Sequence, residues 1–254
     1  MSEPGRNENE TAWNESGGYK PGENKTGTPE PGRPGRLVVL EGVDGSGKST
    51  QYRLLRDALT ENGYDFRCVA FPRYEQESSA LIRAYLAGDY GTAPGDVNPY
   101  AASTFYAVDR FASYRTDWGA YYAAGGLVLC DRYTTSNACH QGSKLAGAER
   151  EVYFRWLAEF EYRLMGLPAP SLVLYLDVEP EISLRQLERR SAETHVAPDI
   201  HERDAAYLAA CLEAGRHAAA FFGWRRIACA HGGEMRPPED IHAELWQAVR
   251  ETLR

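Results

Sequence analysis

Eight consecutive residues, Gly42-Val43-Asp44-Gly45-Ser46-Gly47-Lys48-Ser49, fit the pattern GxxxxGK[ST]. Glycines at these spacings let the backbone turn tightly around an anion, so that successive N–H groups point at phosphate oxygens. The helix expected to open at Thr50 adds the positive end of its dipole. In this pattern the lysine reaches the β- and γ-phosphates and the Ser/Thr hydroxyl coordinates Mg²⁺, which assigns those tasks to Lys48 and Ser49. Gly42, Gly45, Ser46, Gly47, Lys48, Ser49 and Thr50 together form the candidate ATP cradle.

Such a loop needs a second carboxylate on the metal side, at the end of a neighbouring strand. Asp131 ends the run Leu127-Val128-Leu129-Cys130, and Asp177 ends Leu172 to Leu176. Asp131 is preferred because Arg132 follows it and gives the site a phosphate ligand. Further arginines stand near strand ends: Arg73, Arg110, and the pair Arg189-Arg190. Phosphoryl transfer spreads negative charge over the moving group, so its catalysts position substrates and supply cations. A switch GTPase would need a guanine-reading NKxD after a late strand; the only Asn-Lys is Asn24-Lys25, near the N-terminus. Many cations and no guanine reader favour a nucleotide kinase.

The elements that must position these residues follow from hydrophobic patterning. Leu37 to Leu40, Cys68 to Phe71, Leu127 to Cys130, Leu172 to Leu176 and, more weakly, Ile227 to Cys229 are apolar runs of the kind buried on both faces of a sheet. Helical patterns separate them at about 48–61, 78–86, 99–123, 147–165, 180–190, 201–222 and 239–253. Alternating strands and helices imply an α/β sandwich around a parallel sheet. Residues 1–36 are rich in Gly, Pro, Glu, Asn and Thr, with little apolar beyond Trp13 and Tyr19, and read as a disordered tail before a domain at 37–254.

With 43% hydrophobic and 25% charged residues, the composition is that of a soluble globular protein. A net charge of −8 argues against a nonspecific nucleic-acid binder. No run of 18 apolar residues exists, so no membrane span is expected. Cys68, Cys130, Cys139, Cys211 and Cys229 are scattered, without zinc spacing, and read as free thiols in a reducing cytoplasm.

Several stretches occur in the order and spacing of thymidylate kinases: Glu41 to Thr50, Phe71-Pro-Arg-Tyr74, Tyr106-Ala-Val-Asp-Arg110, Asp131-Arg-Tyr-Thr-Thr-Ser-Asn137 and Asp199-Ile-His-Glu-Arg-Asp204. The chain resembles that family from about Leu37 to Arg254. The resemblance implies a three-layer P-loop kinase fold with a five-stranded parallel sheet flanked by helices, a small mobile lid, a homodimer, and the reaction dTMP + ATP → dTDP + ADP with Mg²⁺. It places Asp44 near the acceptor sugar 3′-hydroxyl, and Tyr106 on the thymine ring. Arg110 would meet a base carbonyl, Asn137 the base edge, and Arg132 the acceptor phosphate; Phe71 belongs to the same acceptor site. Two of these residues have a plainer reading, Tyr106 as helix core and Asn137 as a cap.

Three departures stand out. Arg73 directly follows Pro72, where many members carry the arginine one residue later. His140 stands where the family usually has Tyr or Phe against the sugar 2′ position, and reads equally as a helix-surface residue. Gly45 replaces the catalytic arginine that some members carry in the loop, which moves the expected cation to a lid at about 189–200, with Arg190 preferred over Arg189. Ser49 and Asp131 are the expected Mg²⁺ ligands. A P-loop kinase of another monophosphate or of a deoxynucleoside is the alternative, and a non-catalytic nucleotide binder the more distant one.

Overall fold

The computed structural model describes residues 35–91, 93, 95–194 and 205–254. Its centre is a five-stranded, fully parallel sheet in the order β2-β3-β1-β4-β5, formed by β1 (Arg36–Glu41), β2 (Phe66–Ala70), β3 (Leu127–Asp131), β4 (Leu172–Asp177) and β5 (Arg225–Ala228). All five expected strands are present, and the α/β class with helices on both sides is as the patterning implied. β1 begins at Arg36, one residue before the apolar run.

The apolar runs of β1 divide between two cores because side chains alternate across a strand. Val38 and Leu40 face α1 (Lys48–Glu61) and α9 (Pro238–Leu253), packing with Tyr52, Leu55, Ile241 and Leu245. Leu37 and Val39 face the opposite layer, where Trp118, Tyr121 and Tyr133 close over Val128 and Cys130. That layer also holds α3 (Pro99–Ser113), α5 (Thr134–His140), α6 (Gly147–Ala158) and α8 (Ala205–Phe222). α2 (Ala80–Ala87) and α4 (Gly119–Ala123) flank α3 in sequence, and α7 (Pro180–Thr194) follows β4. Pro99 at the first turn of α3, and Asn98 accepting from the Ala101 N–H at 2.9 Å, fix where that helix starts.

The long helical windows are interrupted. Between α3 and α4, Tyr114–Trp118 forms a π turn in which the Gly119 N–H reaches the Tyr114 carbonyl. A Cβ at Gly119 would lie 2.3 Å from that carbonyl oxygen, so glycine permits the close approach. A second π turn, Glu159–Leu164, ends α6. Two elements escaped the patterning altogether: α5, and a small hairpin of β6 (Ala230–His231) and β7 (Glu234–Met235). The tail up to Pro34 and the lid stretch His195 to Asp204 lie outside the described residues. No helix among the described residues is long and apolar enough to cross a membrane.

Candidate active site

β1 sits between β3 and β4, so the chain connections leave it in opposite directions. The crevice at the carboxyl ends of such strands is where open α/β sheets bind ligands. Register places the residues accordingly. Leu40 pairs with Asp131, and the Arg132 N–H extends the ladder by donating to the Leu40 carbonyl at 3.1 Å. The loop after Glu41 and the residues after Asp131 therefore emerge side by side.

The loop turns through left-handed backbone at Gly45 (φ 78°) and Gly47 (φ 85°), and α1 opens directly at Lys48. Lys48 is nearly buried and its Nζ lies 3.9 Å from Asp131 Oδ1. That carboxylate oxygen is buried and has no hydrogen-bond partner among the described residues. Ser49 is exposed at the start of the same helix. An orphaned carboxylate oxygen beside the loop, with a hydroxyl on the adjacent helical turn, fits a hard divalent cation that takes one or two protein oxygens and keeps phosphate and water for the rest. Asp177, the competitor, is taken: Arg216 Nε donates to Oδ1 at 2.7 Å and Arg226 Nη2 to Oδ2 at 2.5 Å. Its role is to tie α8 and β5 to the end of β4.

Arg132 joins the two halves of the crevice. It is a non-glycine residue with φ of 63°, a conformation L-residues adopt sparingly and functional sites retain. Its Nη2 donates to Asp44 Oδ1 at 2.6 Å, and its Nη1 lies 3.6 Å from Glu41 Oε1. Burial works against its charge, but the carboxylates of Asp44, Glu41 and Asp131 outweigh burial and raise its pKa, so the guanidinium stays cationic. His140 Nε2 is 3.2 Å from Arg132 Nη1. Arginine has no acceptor, so this nitrogen must offer its lone pair. The other ring nitrogen faces Cys211 Sγ at 3.6 Å, which puts His140 inside the site rather than on an open helix surface.

A second buried hub stands behind the acceptor side. Arg110 and Glu161 are 1% and 0% exposed and form a two-pronged pair, Nε to Oε2 at 2.7 Å and Nη2 to Oε1 at 2.5 Å. Burial lowers the Arg110 pKa and Glu161 more than restores it. Glu161 also accepts from Thr134 Oγ1 at 2.7 Å, and Glu41 accepts from Thr135 Oγ1 and Ser136 Oγ, both at 2.7 Å. The first turn of α5 thus holds both carboxylates that stand behind Arg110 and Arg132.

The remaining expected residues are placed as follows. Tyr106 is half-buried on α3 and meets Tyr85 edge-on, centroids 6.5 Å apart; burial pushes its phenol pKa up, so it stays neutral. Phe71 is buried and tilts against Tyr133. Asn137 is 2% exposed, with Nδ2 donating to the Ser103 carbonyl at 3.3 Å. Arg73 is engaged by Asp109, through its backbone N–H at 2.8 Å and its Nε at 3.1 Å, and donates to Ser78 Oγ at 3.1 Å. Arg189 is exposed near the end of α7, whereas the side chain of Arg190 lies outside the described residues.

Sequence reasoning missed Glu161, Thr134, Thr135, Asp109 and Lys144. Lys144 Nζ donates to Tyr85 Oη at 3.1 Å and to the Val97 carbonyl at 2.9 Å, fastening the start of α3 to the ring beside Tyr106, and burial pushes its pKa down to about 8. Glu161 and Lys144 carry no local motif, whereas Asp109, Thr134 and Thr135 lie inside the family-like stretches Tyr106 to Arg110 and Asp131 to Asn137 without having been singled out there. Glu41 had a visible signal of its own, a charge closing a buried strand directly before the loop.

The profile of the family described as thymidylate kinase matches residues 40–210. A thymidylate kinase of Mycobacterium tuberculosis (strain CDC 1551 / Oshkosh) is 34% identical over 171 residues, which span 66% of this chain and 78% of that protein. One from Rhodopseudomonas palustris (strain TIE-1) is 33% identical over 218 residues, 85% of this chain and 89% of that protein. One from Synechococcus sp. (strain JA-2-3B'a(2-13)) is 28% identical over 219 residues, 85% and 95% of the two chains.

Proposed function

The chain belongs to the thymidylate kinase family, and on that premise we propose that it transfers the γ-phosphoryl group of ATP to dTMP, giving dTDP and ADP. One observation carries the reading: Lys48 and Arg132 converge on the aligned ends of β1 and β3, each beside a carboxylate, Asp131 and Asp44 respectively.

ATP lies with its phosphates in the loop from Gly42 to Thr50, and dTMP lies across Asp44 with its phosphate on Arg132. An anionic oxygen of the acceptor phosphate attacks the γ-phosphorus in line, and the bond to the ADP oxygen breaks. No general base is needed, since that oxygen is unprotonated near neutral pH. Lys48, Arg132 and a lid arginine, Arg190 or Arg189, offset the charge on the transferring group. Ser49 and Asp131 would hold Mg²⁺, which would supply positive charge against the phosphates. Tyr106 stacks on the base, Arg110 and Asn137 read its edge, Phe71 shapes the same side, and His140 stands at the sugar. Arg73 reaches the acceptor phosphate only by exchanging Asp109 for it. Closure of the lid over 189–200 excludes water.

Two copies pair through the outward faces of α2, α3 and α6, where Leu81, Val108, Phe111 and Val152 are exposed. A cytoplasmic setting suits five cysteines held as thiols.

Coupled ADP release with purified protein, run across dTMP, dUMP, dCMP and thymidine, tests the assignment. Preference for dTMP is the expected result; turnover of dCMP or thymidine without dTMP would assign a different acceptor. Lys48→Ala should lower kcat by roughly 10³-fold or more, the scale of losing a transition-state cation, and full activity in that variant would remove the loop from the mechanism.

A further inference from the structure

A cavity of about 260 Å³ lies away from the phosphate crevice, between the first turn of α5, the π turn after α6, and the start of β4. An apolar cavity of roughly 150 Å³ is enough to take benzene. The walls here are largely apolar and aromatic, with Leu157, Tyr162, Phe222 and Trp224 among them, and the cavity reaches solvent beside the exposed Ala169 and Gly223. Its floor is Thr134 and Thr135.

The floor dictates what polar group fits. Thr134 Oγ1 donates its proton to Glu161, and Thr135 Oγ1 donates to Glu41, each at 2.7 Å. Each of these hydroxyls has spent its single proton on a carboxylate, so toward a ligand it can act only as an acceptor. A ligand must therefore bring a donor. The same two bonds are the route outward, since Glu161 holds Arg110 and Glu41 lies against Arg132.

We propose that this cavity is a second ligand site, taking a flat aromatic molecule of indole size with one N–H or O–H donor, and that its occupancy is transmitted through Thr134 and Thr135 to the acceptor site. The coupling half rests on the acceptor assigned above, and the binding half does not.

Calorimetric titration of the full chain with indole, and with indene as the same shape lacking the N–H, tests binding. Indole should saturate at one per chain, and indene should bind at least about tenfold more weakly. Ala169→Phe at the mouth and Ala158→Leu in the wall should each weaken indole at least about tenfold while the melting temperature and the KM for ATP hold. Saturating indole should change the KM for dTMP at least about threefold and leave that for ATP alone. Absence of saturable binding to the parent chain, equal binding of indole and indene, binding that survives both substitutions, or mutual exclusion with dTMP overturns the site. Binding with an unchanged KM for dTMP overturns the coupling. Should the chain turn over a different acceptor, the binding measurements stand and the coupling is read with that acceptor.

Discussion

At the scale of single residues, buried charge is concentrated where the acceptor side is built. The Arg110–Glu161 pair is sealed from water, so its net worth depends on both partners being present. Removing one leaves an uncompensated buried ion, which typically costs about 3–5 kcal/mol, whereas replacing both with apolar residues of similar volume is often near neutral. Glu161→Ala should therefore lower the free energy of unfolding by about 3–5 kcal/mol in urea titration, and Arg110→Met with Glu161→Leu by clearly less. Equal losses would mean that the pair is stabilised by packing and not by charge compensation. Arg110 was legible in the sequence because it sits in a recognisable Tyr-x-x-Asp-Arg stretch. Glu161 was not, because in a regular amphipathic helix it is one more polar position. The π turn over Glu159–Leu164 accompanies its burial, with Glu159 left facing solvent, and no sequence period announces that turn. Arg73 shows the converse. Its type and place suggested a phosphate ligand, but a carboxylate 36 positions away, Asp109, engages it first.

Elements determine which substitutions the loop tolerates. The sequence marked Gly45 by contrast with relatives that place an arginine there, and the fold supplies the reason. A Cβ at Gly45 would lie 2.4 Å from the Ser183 carbonyl oxygen in α7, and its φ of 78° disfavours any other residue. Ser183 in turn donates its hydroxyl to the Asp44 carbonyl, so the first turn of α7 is latched onto the loop. Gly45→Arg should then cost about 2–5 kcal/mol, combining roughly 1–2 kcal/mol for the left-handed backbone with roughly 1–3 kcal/mol for overpacking. Its melting temperature should fall and its KM for ATP should rise, and a gain in kcat at unchanged stability would show that the loop can accept the cation after all. Strands and long helices were readable because each is an unbroken apolar run or a periodic one. α5 was not: Thr134-Thr-Ser-Asn-Ala-Cys-His140 contains weak helix formers and no apolar stripe. Its helix is held by tertiary bonds instead, from Thr134, Thr135 and Ser136 to Glu161 and Glu41. The site's supporting layer is thus the part least visible in sequence, since long-range hydrogen bonds leave no periodic trace.

At the scale of the molecule, the two faces of the sheet are covered by helices, yet one helical layer keeps apolar side chains outward. Val108 and Phe111 lie three residues apart on α3, hence on one face, and are 45% and 39% exposed. Leu81 on α2 and Val152 on α6 are 44% and 54% exposed. Single exposed apolar residues need no explanation, but several on helices of one layer suit a self-complementary twofold contact. Patterning could not single them out, because α3 carries inward residues at neighbouring positions of the same apolar window. A stable dimer buries roughly 800 Å² per partner, most effectively through an apolar centre. Two carboxylates placed there would be desolvated opposite their own symmetry mates and would repel. Val108→Asp combined with Phe111→Asp should therefore convert a dimeric species to monomer in light scattering behind size exclusion, with far-ultraviolet circular dichroism unchanged. Both side chains are exposed and neither bonds to Lys48 or Arg132, so the monomer should keep its loop geometry, and any loss in kcat would measure how far pairing steadies α3, and through it Tyr106 and Arg110. A parent chain that already runs as a monomer at micromolar concentration, or a double variant that remains dimeric, would place the contact elsewhere or remove it.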